Sequence, residues 1–325
     1  MGSEYGIFWG ENLFVGGDKK EPIIEHFLYE RDAMCLIADP GVGKSVLALQ
    51  IIASLTTGAP LFGSYEVKKI CNVLYVQTEG DRVETIERIR AMEWVCAFDH
   101  SKWAHLNLPG ILLNTNEGFD KFKAYADQPQ ELWDVVIIDP LYTTVKGSML
   151  RDDVATDWVR NLRQLRGEYG SAFIILHHDN KETRTSDGDL MPRNKSAVFG
   201  SVFWGAFFNQ TFKLSVHKGF HKLDSGKQRS GKMVDIVELE MMQPSPLYYK
   251  MVTDPAIDAE SIVYKQVRIW GPCPAHKIVS VTGLSRASVY RALRTLLNSE
   301  KVTKLDEKYW VKGMTDEEIR KEKGL

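Results

Sequence analysis

Apolar and polar positions alternate regularly between residues 30 and 249 of this 325-residue chain. Four short runs are almost entirely apolar, at residues 33–38, 73–77, 135–138 and 172–176. Unbroken apolar runs of this length are typical of parallel strands that are buried on both faces of a sheet. Between the runs, apolar residues recur at helical spacing, as at Val46, Leu49, Ile52 and Leu55. The pattern therefore predicts an α/β domain with a doubly wound, mostly parallel sheet.

Two later segments predict an extension of this sheet. Residues 211–216 and 233–241 have the composition and alternation of strands. Their position after the parallel runs favours antiparallel pairing at one side of the sheet. We therefore assign residues 1–252 to the first domain.

The C-terminal part of the chain predicts a smaller domain. After a linker at residues 253–260, three short helices are predicted, followed by a hairpin. The helices are expected at 261–270, 275–281 and 285–298, and the hairpin strands at 302–305 and 309–311. This order is typical of a winged-helix domain. The predicted domain covers residues 261–312, with residues 313–325 as a tail.

Composition and charge restrict the class of protein. The chain is 44% hydrophobic and 26% charged, as in globular proteins, and no segment is apolar for long enough to span a membrane. Its four cysteines form no Cys-x-x-Cys pair, which favours reduced thiols in the cytoplasm over disulfides or a zinc site. Residues 262–312 carry ten Lys or Arg and three Asp or Glu, whereas residues 1–261 sum to −8. Contacts with an anionic polymer are therefore expected in the C-terminal domain.

A glycine-rich loop lies between the first predicted strand and a predicted helix. Its residues are Ala38, Asp39, Pro40, Gly41, Val42, Gly43, Lys44 and Ser45, with alanine in place of the first glycine of the usual P-loop. The two glycines permit turns that direct backbone N–H groups at phosphate oxygens, and the helix N-terminus adds partial positive charge. Lys44 is predicted to contact the β- and γ-phosphates, and Ser45 to bind Mg²⁺. The predicted ligands are ATP and Mg²⁺.

Two acidic residues at strand ends predict the rest of the chemistry. Asp139 ends the run at 135–138 and is predicted to hold Mg²⁺ through water beside Ser45. The next residue is Pro140, at a position where many P-loop ATPases carry the glutamate that activates water. Glu79, which follows the run at 73–77, is therefore the candidate base, with Asp81 as a rival.

Adjacent histidines follow the run at 172–176. A polar side chain at this strand end can sense the γ-phosphate, and His178 is the candidate. A structural hydrogen-bonding role is the alternative. Because adjacent residues of a strand point to opposite faces, His177 and His178 are not expected to share a metal ion.

This order of parts resembles the RecA-like ATPases. The features that carry the resemblance are the P-loop, the glutamate after the next strand, the aspartate strand without a following glutamate, and a strand that ends in His-His-x-x-Lys. Within that family the chain is most similar to plasmid RepA and DnaB-type hexameric helicases, over roughly residues 20–250. The resemblance implies a RecA-like fold, ATP hydrolysis and assembly into a hexameric ring.

The resemblance also implies roles for basic residues. Lys227 and Arg229 correspond to a Lys-x-Arg motif between two strands that reaches the nucleotide of a neighbouring subunit, and an exposed basic turn is the alternative. Residues 143–153 and 182–196 correspond to loops that bind single-stranded DNA at the centre of the ring. The second loop carries Arg184, Arg193 and Lys195.

The C-terminal domain predicts a second surface for nucleic acid. One face of the helix at 285–298 is apolar, and the other carries Arg286, Tyr290, Arg291 and Arg294. Such a helix can enter the major groove of duplex DNA while the wing contacts phosphates. A winged helix that binds a protein is the alternative.

These features predict a DNA-binding ATPase motor in the cytoplasm, and the resemblance implies a replicative DNA helicase. Two other functions stay open. One is a recombinase or recombination mediator related to RecA. The other is a regulator or partitioning protein that binds DNA through the winged helix under the control of ATP. No membrane partner is expected.

Overall fold

The computed structural model describes residues 20–128, 132–179, 200–217, 220–231, 234, 237–252, 260, 263–264, 266–268, 272–282, 284, 286–305 and 307–311. The chain divides into two compact units, Met1–Met251 and Val252–Leu325. Each unit has a hydrophobic core of its own. Among the helices of these residues, none is long and apolar enough to cross a membrane.

A nine-stranded sheet forms the centre of the first unit. A short ribbon of β1 (Pro22–Ile24) and β2 (Leu28–Tyr29) precedes it. The strands of the large sheet are β3 (Ala33–Ala38), β4 (Val73–Gln77), β5 (Trp103–Asn107), β6 (Val135–Asp139), β7 (Ala172–His178), β8 (Gln210–His217), β9 (Phe220–Gln228), β10 (Val237–Met242) and β11 (Tyr248–Met251). Their order is β11-β10-β9-β8-β3-β7-β6-β4-β5. The strands from β8 to β5 pair in parallel, and β9 to β11 extend the sheet in antiparallel fashion.

Five helices and a 3-10 turn of the described chain cover the faces of this sheet. They are α1 (Lys44–Thr57), α2 (Arg82–Met92), α3 (Asn116–Ala126), the turn Tyr142–Thr144, α4 (Asp152–Tyr169) and α5 (Val202–Phe207). Successive residues of β3 point to opposite faces. Met34 and Leu36 pack with α1 and α2, whereas Cys35 and Ile37 pack with α3, α4 and α5. The predicted doubly wound, mostly parallel α/β fold is therefore confirmed.

The hydrophobic pattern does not predict three strands of the sheet, β5, β9 and β11. All five residues of β5 are only partly buried, and Leu223 is the one fully buried residue of β9. The strand predicted at 233–241 is β10, which begins later, at Val237. Edge strands and strands with a solvated face lack the continuous apolar run of a central parallel strand, so their sequence signal is weaker.

The second unit contains helices and a small sheet. Residues 260, 263–264 and 266–268 are helical, and Val263 and Val267 are buried. The following elements are β12 (Cys273–Pro274), α6 (Ala275–Thr282), α7 (Arg286–Asn298), β13 (Val302–Leu305) and β14 (Lys308–Val311). Strands β12 and β13 flank β14, and both pairs are antiparallel. The strand β12 is not predicted by the sequence. The tail 313–325 and most of the predicted linker lie outside the described residues.

Candidate functional site

The glycine-rich loop connects β3 to α1. Gly41 (φ 78°) and Gly43 (φ 100°) adopt backbone conformations that are costly for residues with a side chain. In the described structure no side chain caps α1, because Gly43 occupies the N-cap position. The first N–H groups of α1 are therefore suited to bind an anion, which the helix dipole also favours.

Side chains from the antiparallel half of the sheet anchor this loop. The Tyr249 hydroxyl of β11 donates a hydrogen bond to the Val42 carbonyl at 2.9 Å, and His221 of β9 donates another to the same backbone group. The Gln50 side chain of α1 forms two hydrogen bonds with the Tyr249 backbone, at 2.7 and 2.8 Å. A Cβ added at Gly43 would lie only 2.2 Å from the Tyr249 oxygen. Strands β9 and β11 thus hold the loop in its shape.

Lys44, the first residue of α1, is buried against the loop. Its ammonium donates to the carbonyls of Ala38 (2.8 Å) and Asp39 (3.1 Å) and lies 3.3 Å from the His178 Nδ1 atom. Burial lowers the pKa of Lys44, and the charge of Asp139 opposes that shift. Burial also lowers the pKa of His178, and the charge of Lys44 adds to this effect. A neutral His178 can accept a hydrogen bond from the ammonium.

Asp139, at the end of β6, is 7% exposed. Its carboxylate accepts hydrogen bonds from the Tyr75 hydroxyl, at 2.7 Å, and from Ser45. Burial raises the pKa of Asp139, whereas these hydrogen bonds and the charges of Lys44 and Arg88 lower it. The Ser45 hydroxyl and the Asp139 carboxylate are hydrogen-bonded to each other, and both can coordinate a metal ion through oxygen. They are the kind of ligands that Mg²⁺ prefers, so the residues present fit this ion.

Glu79 lies two residues beyond the end of β4, at the same edge of the sheet. Its carboxylate accepts a hydrogen bond from Tyr142, and the Tyr142 ring centroid lies 4.9 Å from that of His178. The ends of β4 and β6 are joined through Thr78, whose N–H donates to the Asp139 carbonyl at 2.9 Å. The structure therefore brings the candidate base, the candidate metal ligand and the candidate sensor together.

Asp81, the alternative base, caps a helix. Its side chain accepts a hydrogen bond from the Glu84 N–H at 2.8 Å and caps the N-terminus of α2. An N-cap of this kind typically contributes about 1 kcal/mol to stability and fixes the carboxylate toward the helix. The geometry therefore favours Glu79 over Asp81 as the group that faces a nucleotide.

A pocket of about 410 Å³ joins these groups. Its lining includes eight predicted site residues, which are Pro40, Gly41, Gly43, Lys44, Ser45, Glu79, Asp139 and His178. The pocket is also lined by four residues that the sequence does not single out for the site, which are Val46, Met241, Gln243 and Leu247. Three of these four lie about two hundred positions after the loop, and only the pairing of β10 and β11 brings them to it. The apolar side chains of Val46, Met241 and Leu247 suit the base of a nucleotide.

Lys227 and Arg229 lie away from this pocket. The prediction that Lys227 is in a turn between strands is wrong, because it belongs to β9. Its ammonium donates to the Gly205 carbonyl at 2.6 Å, and burial, followed by the charge of Arg229, lowers the pKa of Lys227. The Arg229 N–H donates to the Asn209 carbonyl, beside the start of β3. Arg229 also lines a separate cavity of about 640 Å³ with the ribbon β1–β2.

The predicted DNA contacts are described only in part. Arg184, Arg193 and Lys195 lie outside the described residues. Helix α7 buries Val289, Ala292, Leu293 and Leu296. Its exposed residues include Arg286, Tyr290, Arg291 and Arg294. The Arg286 guanidinium lies over the Tyr290 ring, 5.6 Å from its centroid. The predicted basic residues of α7 therefore share an exposed surface.

The fold and this pocket define a P-loop ATPase with a RecA-like core. A family profile described as an AAA domain matches residues 11–184, which is more than half of the chain, and the chain belongs to this AAA-domain family. Among solved structures it is similar to the ATPase domain of G40P, with 15% sequence identity and a TM-score of 0.50. That match covers 75% of this chain and 95% of the other. Comparison with curated proteins gives no match.

Proposed function

We propose that this protein is an ATP-hydrolysing, DNA-binding motor, and more specifically a hexameric replicative DNA helicase of the RepA and DnaB type. The observation that carries the proposal is the convergence of Lys44, Asp139 and Glu79 on one pocket behind a glycine-rich loop. The resemblance of these motifs to DnaB-type helicases supports the motor function. The exposed basic residues of α7 support the contact with DNA.

Each residue of the pocket has its own role in ATP hydrolysis. The N–H groups of the loop and the Lys44 ammonium bind the β- and γ-phosphates. For the ammonium, the phosphate oxygens take the place of the Ala38 and Asp39 carbonyls that it contacts in this structure. Mg²⁺, when held by Ser45 and Asp139, neutralises negative charge on these phosphates. Glu79 orients the attacking water and accepts its proton. His178, beside Lys44, contacts the γ-phosphate.

A neighbouring copy of the chain completes the site. Lys227 and Arg229 do not line the nucleotide pocket of their own chain. We assign them to the nucleotide of the next subunit, where their charge stabilises the transferring phosphoryl group. A head-to-tail interface of this kind closes into a ring or continues as a filament. The resemblance to DnaB-type helicases favours a hexameric ring.

Two surfaces are assigned to DNA. Residues 143–153 and 182–196, the second with Arg184, Arg193 and Lys195, bind single-stranded DNA inside the ring. Residues 261–312 form a winged-helix domain that binds duplex DNA. There α7 presents its exposed basic and aromatic residues to the major groove. These residues are Arg286, Tyr290, Arg291 and Arg294.

Unwinding of a forked DNA duplex is the test of this proposal. The wild-type protein should separate the strands in the presence of ATP and Mg²⁺, and its ATP turnover should rise with single-stranded DNA. Lys44→Ala, which removes the phosphate-binding ammonium, should abolish nucleotide binding and unwinding together. Filaments that pair strands without unwinding would indicate a recombinase or mediator. Turnover that does not respond to single-stranded DNA would indicate a regulator or partitioning protein.

A further inference from the structure

The 3-10 turn Tyr142–Thr144 follows the strand that carries Asp139 and lies against the ends of two other strands. Tyr142 donates a hydrogen bond to the Glu79 carboxylate, and its ring packs against His178, with centroids 4.9 Å apart. Beside it, the Thr143 and Thr78 hydroxyls share a hydrogen bond of 2.6 Å. One turn is therefore bonded to the candidate base, which follows β4, and packed on the candidate sensor in β7.

Among the described residues, no other hydrogen bond to the Glu79 side chain is found, so the contact with Tyr142 decides how this carboxylate is held. The Glu79 side chain is exposed and lies beyond the last residue of β4. A carboxylate that serves as a base must be directed at one water molecule, and a freely rotating side chain spends only part of its time in that geometry. Burial, together with the hydrogen bond to Glu79, raises the pKa of Tyr142 to about 12. The phenol therefore remains a donor at neutral pH.

The fold of the turn does not depend on the Tyr142 hydroxyl. Leu141 is fully buried and its N–H donates to the Leu176 carbonyl at 2.8 Å. Thr144 is also fully buried, and its hydroxyl accepts from the Trp158 indole at 2.9 Å. Tyr142 itself is 38% exposed. Loss of the single oxygen should leave the turn and the ring contact with His178 in place.

We propose that Tyr142 is a positioning residue for ATP hydrolysis, which holds the Glu79 carboxylate toward the attacking water and links it to His178. This inference rests on the proposed ATPase function. The link is continuous through contacts, because Lys44 lies 3.3 Å from His178, His178 packs on Tyr142, and Tyr142 bonds to Glu79. A side chain that contacts the phosphates and the side chain that activates water are thus tied to one tyrosine.

Tyr142→Phe in the full-length protein tests this role, with ATP turnover measured at varied ATP concentration. We expect kcat to fall about tenfold, the effect of losing one hydrogen bond to a charged group, with little change in KM. Tyr125→Phe is the matched control, since Tyr125 is an exposed tyrosine on α3. Its kinetics should equal those of the wild type.

The same substitution in a Glu79→Gln background separates positioning from a merely structural effect. If Tyr142 acts through Glu79, Tyr142→Phe should lower kcat no further in that background. An equal loss in both backgrounds, an unchanged kcat, or a raised kcat would overturn the role of Tyr142. If Glu79→Gln alone left kcat unchanged, both the base assignment and the role of Tyr142 would fail. An unchanged kcat in Tyr142→Phe alone would leave the base assignment intact.

Discussion

Replacement of Gly43 by alanine tests whether the antiparallel strands hold the phosphate loop. At a φ of 100° an alanine costs roughly 1–2 kcal/mol of backbone strain. Its Cβ would also lie 2.2 Å from the Tyr249 oxygen and 2.3 Å from the Met241 Cε atom. The Met241 methyl group can move aside, because that side chain is flexible. Tyr249 cannot move freely, because it is bonded to Gln50 and Val42, so the conflict adds about 1–3 kcal/mol.

Gly41→Ala is a matched control within the same loop. Gly41 also has a positive φ, 78°, but an added Cβ meets nothing within 4 Å, so only backbone strain applies. We expect the free energy of unfolding to fall by about 1–2 kcal/mol in Gly41→Ala and by about 2–5 kcal/mol in Gly43→Ala. For a unit of this size each kcal/mol corresponds to about 2–4 °C in Tm. Thermal unfolding of the two variants is measured without nucleotide, so that contacts with phosphate do not contribute to the difference in stability.

A second substitution isolates the cause of the loss in Gly43→Ala. Tyr249→Phe removes the oxygen, and the ring carbon behind it lies 3.4 Å from the added Cβ, an ordinary contact. In the Gly43→Ala background it should therefore restore about 1 kcal/mol or more of stability. In the wild type it should cost about 1 kcal/mol, through the hydrogen bond to Val42. Equal losses in the two glycine variants, or no recovery in the double variant, would refute the role of Tyr249 as an anchor.

Three further predictions concern turnover and DNA. Glu79→Gln should keep nucleotide affinity but lower kcat on the order of a hundredfold, and an unchanged kcat would assign the base to another acid. Arg229→Ala should abolish turnover while sparing nucleotide binding, and mixing it with Lys44→Ala subunits should restore activity at composite sites if Arg229 acts between subunits. Removal of the three arginines of α7 should weaken binding to duplex DNA and reduce its salt dependence, measured by titration at several salt concentrations. The variant carries alanine at Arg286, Arg291 and Arg294, and unchanged binding would favour a protein partner for this surface.

The sequence predicts the centre of the sheet well and its sides poorly. Strands β3 and β4 have the bounds of their apolar runs, because both faces of a central parallel strand are buried. Strand β9 carries six polar or charged residues among its nine, and its residues are mostly half-buried, so no apolar run marks it. That omission also explains the wrong position of Lys227. A segment without a recognised strand is easily taken for a turn.

The residues of the candidate site also differ in how far they can be predicted from the sequence near them. Lys44 and Ser45 belong to one contiguous motif, and Asp139 ends a continuous apolar strand, so each can be proposed as a site residue without knowledge of the fold. Tyr249 is different, because a tyrosine in an edge strand is usually only a packing residue. Its bond to the loop depends on the order of nine strands, which local patterns do not determine.

The position of Arg229 bears on how many chains make one active site. The Arg229 N–H donates to the Asn209 carbonyl, and the Asn209 N–H donates to Ala33 at the start of β3, whereas the phosphate loop begins after Ala38 at the other end. Five residues of strand separate the two ends by about 17 Å, which is longer than an arginine side chain. Arg88 does line the pocket, but it is paired with Glu84 at 3.3 Å.

The arginine that stabilises the transferring phosphoryl group is either Arg88 of the same chain or Arg229 of the next subunit. The effect of Arg229→Ala distinguishes these two arrangements. If Arg88 supplied the charge within its own chain, Arg229→Ala would retain turnover, and mixed subunits would add nothing. If Arg229 reaches the next subunit, a chain that lacks Lys44 still lends its Arg229 to a neighbour with an intact loop. Activity then returns in the mixture although neither variant is active alone. The distance along β3 favours the second arrangement, because Arg229 lies too far from the phosphate loop of its own chain to stabilise a phosphoryl group there.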